Sequence, residues 1–239
     1  MLKLRVSEVY LSIQGEGPRV GESTVFVRFA GCNLRCPGWA CDTPHAIDPA
    51  IYTKDAQLLT PQEIVELVVE ASHPGTNICY TGGEPFIQNS ETLCELSDAL
   101  TVAGYPTQEV FTNGTLEFPE WAYEVLYFVM DYKLSGSGEE GNIHGTEGVQ
   151  ATRIKNIQRM NEGDVVKFTI ASRADYEEAC MSYPHLQKDN PHIDFYYGVV
   201  WGKLEAGDLI AWVLEDGLTA WMYTHQLHNV IWSRDMRGI

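Results

Sequence analysis

Residues 60–85 read Thr60-Pro-Gln-Glu-Ile64-Val-Glu-Leu67-Val68-Val-Glu-Ala-Ser-His-Pro-Gly-Thr76-Asn-Ile-Cys79-Tyr-Thr81-Gly82-Gly83-Glu84-Pro85. Thr60 followed by Pro61 is a helix-start signal, and Ile64, Leu67 and Val68 repeat at helical spacing, so a helix is expected over 61–71. The run 76–81 is then a strand, closed by a glycine-rich loop. The same rhythm extends in both directions. Strands are expected at 24–30, 107–112, 125–131, 164–170 and 194–201, with helices at 90–103, 147–160 and 173–182. Strands alternating with helices argue for parallel strands joined by crossovers. Periodicity alone leaves a doubly wound sheet and an incomplete (β/α) barrel both open. Either architecture puts ligands beyond the carboxyl ends of strands, which directs attention to 31–43, 81–85, 112–115 and 133–138.

Composition bounds the rest. A chain of 239 residues with 44% apolar and 21% charged residues is expected to form one domain over 1–239 with a sizeable core. Sixteen basic against thirty-three acidic side chains leave −17, a field that repels phosphate backbones and anionic lipid, so neither direct nucleic-acid nor membrane binding is expected. The N-terminal MLKLRVSEVY lacks a secretory apolar region, and no apolar stretch approaches the ~20 residues that span a bilayer. A cytoplasmic protein is expected. Cys79, Cys94 and Cys180 are read as core thiols, and the tryptophans at 121, 201, 212, 221 and 232 as core or interface aromatics.

The densest chemistry is Cys32-Asn-Leu-Arg-Cys36-Pro-Gly-Trp-Ala-Cys41-Asp42-Thr43. Three crowded cysteines in a reducing compartment point to metal. His45 could complete a Cys₃His zinc knuckle. Three thiolates without a fourth ligand suit instead an iron–sulfur cluster with one iron open to a ligand.

With Thr81-Gly-Gly-Glu-Pro85, this cluster resembles the radical S-adenosylmethionine (SAM) superfamily. The stretches Glu8 to Gly17, with Ser12-Ile-Gln-Gly-Glu-Gly17, and Val25 to Cys36 narrow the resemblance to the 7-carboxy-7-deazaguanine synthase family. It continues through Thr112-Asn-Gly114, Asp131-Tyr-Lys133-Leu-Ser135-Gly-Ser137-Gly, Val166 to Ile170 and Gln226-Leu-His228. One departure is the four-residue gap between Cys36 and Cys41, where the superfamily has two. Pro37-Gly38 can turn tightly to absorb it.

The resemblance implies an incomplete (β/α) barrel of about six parallel strands with reduced crossover helices. It implies ring contraction of 6-carboxy-5,6,7,8-tetrahydropterin to 7-carboxy-7-deazaguanine with loss of ammonia, driven by the radical that SAM yields at a 4Fe-4S cluster. Cys32, Cys36 and Cys41 would hold the cluster, and Asp42, Gly82, Gly83, Glu84, Ser135 and Ser137 would contact SAM. Ile13, Gln14, Gly15, Glu16, Arg28, Thr81, His228 and Ile239 would contact the substrate. Thr43, ordinarily a helix cap, would ligate Mg²⁺. A homodimer and an electron donor such as a flavodoxin would be the partners. The rival readings are a glycyl-radical activase and a non-catalytic zinc or iron–sulfur module.

Several of these residues also carry a reading of their own. Arg28 lies in an apolar strand, where an unpaired guanidinium is costly, so it needs a carboxylate from a substrate or from the protein. Gln14 and Glu16 suit the amide-and-amine edge of a pterin, or sit in an ordinary hairpin turn. Ser135 and Ser137 suit a ligand, or a solvated loop that Glu139 would also fit.

Overall fold

The computed structural model describes residues 2–39, 41–139, 141, 147–232, 236 and 238. Ile239, the expected C-terminal substrate contact, lies outside the described residues.

The described elements in order are β1 (Leu4–Ile13), β2 (Ser23–Phe29), α1 (Pro44–Ile47), α2 (Pro49–Asp55), β3 (Gln57–Leu59), α3 (Pro61–Ala71), β4 (Asn77–Gly82), α4 (Ser90–Val102) and β5 (Gln108–Thr112). They continue with α5 (Ala122–Val125), β6 (Tyr127–Asp131), α6 (Glu147–Arg159), β7 (Val165–Ile170), α7 (Arg173–Asp189), β8 (Asp194–Val199), α8 (Ala206–Glu215), β9 (Trp221–Tyr223) and α9 (His228–Ile231). All six expected strands are present as β2 and β4 to β8, and the four expected helices as α3, α4, α6 and α7. The helix expected to stop at 182 runs on to Asp189 across Pro184. Packing outweighs the lost backbone donor there: Leu186 is buried, and the Tyr183 ring meets Phe195 edge-on at 4.8 Å.

One nine-stranded sheet has the order β3-β1-β2-β4-β5-β6-β7-β8-β9. From β2 to β9 every pairing is parallel, while β1 and β3 add an antiparallel edge. The order never reverses after β2, so right-handed crossovers wind in one direction and leave one face of the sheet free of them. That is the winding of a barrel rather than of a doubly wound sheet, and β3 and β9 do not pair to close it. The incomplete barrel is what the chain adopts.

Strand alternation divides the sheet into two chemistries. Val25, Val27 and Phe29 on β2, Ile78 and Tyr80 on β4, Phe128 and Met130 on β6, and Val166, Phe168 and Ile170 on β7 join one buried apolar core. Their alternating neighbours, Arg28, Thr81, Asp131, Lys167 and Thr169, face the other way and line a cavity. Register places Arg28 beside Thr81 and Asp131 beside Lys167, so the polar residues form a band across the sheet. The helices hold this frame from behind. In α3 the Thr60 hydroxyl accepts from Glu63 N–H at 3.3 Å while the Glu63 carboxylate accepts from Thr60 N–H at 2.7 Å, a reciprocal cap.

Candidate active site

The cavity encloses about 750 Å³ at the carboxyl ends of the parallel strands. Ile13, Gln14, Gly15, Glu16, Arg28, Cys32, Cys36, Cys41, Asp42, Thr43, Thr81, Gly82, Gly83 and His228 all line it, so most of the residues singled out in the sequence converge. Glu84, Ser135 and Ser137 are absent from its lining.

The cysteine loop is held from below. Trp39 N–H donates to Cys36 O at 3.4 Å, and Gly38 N–H donates to Ser137 O at 2.9 Å, so Pro37-Gly38 makes the turn that absorbs the longer spacing. Cys36 has a φ of 46°, unusual for a residue with a side chain. The buried Glu139 carboxylate accepts the Arg35 and Cys36 N–H groups, the latter at 2.6 Å. This overturns the expectation of a solvated loop at Glu139: two orphan backbone donors claim its charge. The Cys32 sulfur accepts from Leu34 N–H at 3.4 Å and from Asn113 Nδ2 at 3.9 Å.

Burial pushes the Cys32 thiol up and the Cys36 thiol to about 11. Among the described residues no group of three His, Cys, Asp or Glu side chains could hold a metal ion. His45 Nε2 instead meets Glu8 Oε2 at 3.4 Å. His45 is thus turned toward Glu8 on β1. Cys32, Cys36 and Cys41 all line one cavity, and cysteine thiolates are the ligands an iron–sulfur cluster takes.

The Gly82-Gly83 loop packs backbone to backbone on the cysteine loop. A Cβ at Gly83 would lie 1.8 Å from Gly31 O, and one at Gly82, where φ is +113°, would lie 2.2 Å from Phe29 O. Glu84 turns behind this wall. Its carboxyl accepts from Phe86 N–H, Thr112 Oγ1 and Asn113 N–H at 3.2, 2.8 and 2.7 Å, and burial pushes its pKa to about 7. Three protein donors orient the Glu84 carboxyl, which is not among the residues lining the cavity. Ser137, fully buried, accepts from Glu139 N–H, and the Ser135 and Gly136 amides donate to Glu178 and Asp175. Ser137 supports the cysteine loop through its carbonyl, which accepts from Gly38 N–H.

Arg28 finds its carboxylate within the protein. Nε donates to Glu8 Oε2 at 2.9 Å and a terminal nitrogen to the Tyr10 hydroxyl at 2.6 Å. Glu16 is gripped by Lys167 and by Gln226 Nε2 at 2.8 Å, and the same Gln226 amide reaches Asp42 at 2.8 Å. Burial works to raise the Glu16 pKa, but the Lys167 charge and the hydrogen bonds from Lys167 and Gln226 together outweigh it and hold the pKa below the usual carboxylate range. Thr43 occupies the N-cap of α1, yet its hydroxyl donates to Gly82 O at 3.1 Å on the cavity wall rather than capping. The ring of His228 packs so closely on Gly15 that a Cβ there would meet Nδ1 at 2.4 Å, and burial lowers the imidazole pKa. Leu227 N–H donates to Gly15 O at 3.0 Å, closing the C-terminal segment over the β1–β2 turn.

Residues 13–136 match the 4Fe-4S single cluster domain family. Across the full chain the sequence is 30% identical to the 7-carboxy-7-deazaguanine synthase of Clostridium acetobutylicum, covering 100% of both chains. It is 31% identical to that of Leptospira interrogans, covering 100% of this chain and 99% of the relative.

The chain belongs to the 7-carboxy-7-deazaguanine synthase family.

The fold agrees with that membership. The crystal structure of QueE from Escherichia coli superposes with a TM-score of 0.69 at 20% identity, covering 93% of this chain and 95% of that one. SuiB from Streptococcus suis, solved bound to SAM, superposes at 0.56 and 12% identity over 84% of this chain and 47% of that one.

Within this synthase-family cavity the sequence reading passed over a cationic pair. Lys133 Nζ donates to Asp131 Oδ2 at 2.8 Å and stands 5.7 Å over the Trp39 ring; Lys167 lies 3.9 Å from the same carboxylate. Burial works to lower the Lys133 pKa, but the charge and hydrogen bond of the Asp131 carboxylate act against it and the pKa is raised. A lone lysine in the apolar run Val165–Ile170 invites the same question as Arg28, and would have found Lys167. Cys79, read as a core thiol, is buried but lines the cavity. Trp201 also lines the cavity, against His225 at 5.8 Å.

Proposed function

We propose that this protein is a 7-carboxy-7-deazaguanine synthase, converting 6-carboxy-5,6,7,8-tetrahydropterin to 7-carboxy-7-deazaguanine with loss of ammonia in deazapurine biosynthesis. The observation that carries this is one cavity lined both by the three cysteines and by Gln14, Glu16, Arg28 and His228. The 4Fe-4S cluster and SAM supply, when bound, the one-electron cleavage and the radical that takes hydrogen from the pterin.

The chain's own side chains bind, orient and exclude water. Cys32, Cys36 and Cys41 hold the cluster, and the Gly82-Gly83 backbone and Asp42 receive SAM beside it. Glu16 and Gln14 accept from the amine and amide edge of the pterin. Arg28, already oriented by Glu8 and Tyr10, turns its guanidinium toward the substrate carboxylate. His228, kept neutral by burial, offers one donor and one acceptor at neutral pH. Thr43 supplies a hydroxyl for Mg²⁺, with substrate oxygens and water completing an oxygen shell.

A reductant protein such as a flavodoxin and a second copy of the chain complete the reading. The exposed edge strand β3, with Leu58 in solvent, leaves room for the latter. No helix among the described residues is long and apolar enough to cross a membrane, in keeping with a cytoplasmic role.

The test is anaerobic reconstitution with iron and sulfide, then incubation with SAM, reductant and the carboxypterin. The expected product has the mass of 7-carboxy-7-deazaguanine, formed with ammonia. A colourless protein containing stoichiometric zinc, or SAM cleavage that consumes no carboxypterin, would overturn the assignment.

A further inference from the structure

One layer beneath Gln14, on the cavity side of the sheet, lies a buried carboxyl that the proposed reaction does not itself use. Glu109 on β5 is fully buried and stands in register with Cys79 on β4. Its Oε1 accepts from Gln14 Nε2 and from Asn77 Nδ2, the latter at 3.0 Å. Its Oε2 lies 3.9 Å from Arg19 Nε and has no hydrogen-bond partner among the described residues. Burying a carboxyl with one oxygen unsatisfied is costly, so the position calls for a reason.

That reason lies in Gln14. A glutamine amide can turn either its oxygen or its nitrogen toward a ligand, and the two ends are told apart only by their neighbours. Here both neighbours agree. Glu109 takes the nitrogen, while Glu16 N–H donates to Gln14 Oε1 at 3.3 Å. The carbonyl oxygen is thereby turned to the side where Glu16 lines the cavity, and the NH₂ is tied to a group behind the wall.

We propose that Glu109 is a positioning residue that sets the polarity of the substrate site. It locks the Gln14 amide so that this end of the cavity offers acceptors, selecting a bicyclic heterocycle with an amino donor edge over one with an oxo acceptor edge. The inference rests on the reading of the cavity as a pterin site.

The experiment compares 6-carboxypterin with 6-carboxylumazine, which carries an oxo group in place of the 2-amino group, as competitive inhibitors of the reconstituted enzyme. Wild-type protein is expected to favour the pterin by on the order of 100-fold, the fold-change that leaving a buried acceptor against an oxo group costs. In Glu109→Leu the amide is free to turn, and the preference falls below about tenfold, since either end can then pair with the ligand. KM for the carboxytetrahydropterin rises more than kcat falls, and SAM cleavage without substrate is unchanged. Glu109→Gln keeps an acceptor for Gln14 Nε2 and stays within about threefold of the wild-type preference. Should the leucine variant fail to load its cluster, Glu109→Asp withdraws the carboxylate by one methylene and carries the same expectation as Glu109→Leu. An undiminished preference in the leucine or aspartate variant, or an equal collapse in the glutamine variant, overturns the role. Wild-type protein that discriminates the two pteridines without turnover overturns the ring contraction alone; one that binds neither overturns both.

Discussion

Arg28 shows how one side chain can serve a fold and a site together. Its ion pair with Glu8 spans β1 and β2, and both partners are largely shielded. The hydrogen bond from His45 and then the Arg28 charge hold the Glu8 carboxyl below the usual glutamate range. Its stabilisation is therefore full above the ordinary carboxylate pKa and drains away as pH falls through the lowered one. Arg28→Ala is expected to cost about 1–3 kcal/mol in urea unfolding at neutral pH, because Glu8 and Tyr10 lose their donor. The difference from wild type should shrink in acid. The same variant should raise KM for the carboxypterin while leaving SAM cleavage without substrate intact; unchanged KM would confine Arg28 to the fold. Cys36 carries a different tension, since a side chain at φ 46° costs about 1 kcal/mol or more relative to glycine. Cys36→Gly should leave the apo chain within about 1 kcal/mol of wild type. It should assemble no four-iron cluster by iron assay and visible absorbance, and cleave no SAM. A brown, SAM-cleaving variant would remove Cys36 from the ligand set.

Elements meet at this site through backbone contacts that admit no side chain. A Cβ on Gly38 would lie 1.9 Å from Gly136 O, so Gly38→Ala must pry the cysteine loop off the turn that follows β6. Cluster loading and thermal midpoint should both fall, the second by the equivalent of about 1–3 kcal/mol. Thr60→Ala is the counterpart far from the cavity: loss of the α3 cap should cost about 1 kcal/mol in urea unfolding and leave turnover at the wild-type rate. The contrast bears on what the sequence makes legible. Helix α3 and strands β2 and β4 to β8 announce themselves through capping and apolar runs, which are local signals. Short pieces such as α1, β3 and β9 carry too little periodicity to read, and Pro184 is a breaker that packing overrides. The cysteines were visible by their crowding and Arg28 as a charge in an apolar strand, whereas Gln14 and Glu16 stood out through the family resemblance of the Ser12–Gly17 stretch, an ordinary hairpin turn by residue type alone. Glu84, Ser135 and Ser137 were legible as loop residues, but which way each would turn depended on donors far along the chain, such as Asn113 N–H for Glu84. Lys167 and Glu109 went unnoticed because each lies within an otherwise strand-like run and faces a partner from another element.

At the scale of the whole chain, charge acts in two ways that salt can separate. A net charge of −17 opposes compaction through surface repulsion, which counterions screen. Buried carboxyls act differently, because ions do not reach them. Burial pushes Glu84 and Glu109 to about 7 and Asp164 to about 6, so the folded chain holds their protons more tightly than the unfolded chain does. Each therefore favours the fold while protonated, and that advantage is lost as pH rises through the folded value. His228, whose pKa burial lowers, works in the opposite sense, but its effect is complete once pH passes the ordinary histidine value of about 6.5. The apo chain is accordingly expected to melt several degrees higher at about pH 6.5 than at about pH 8. Added salt should raise both midpoints by relieving surface repulsion while leaving most of the gap between them. Replacing Glu109 by glutamine should narrow the gap, since a neutral amide has no proton to lose there. A gap that closes in high salt would place its origin in the surface charge instead of in the buried acids.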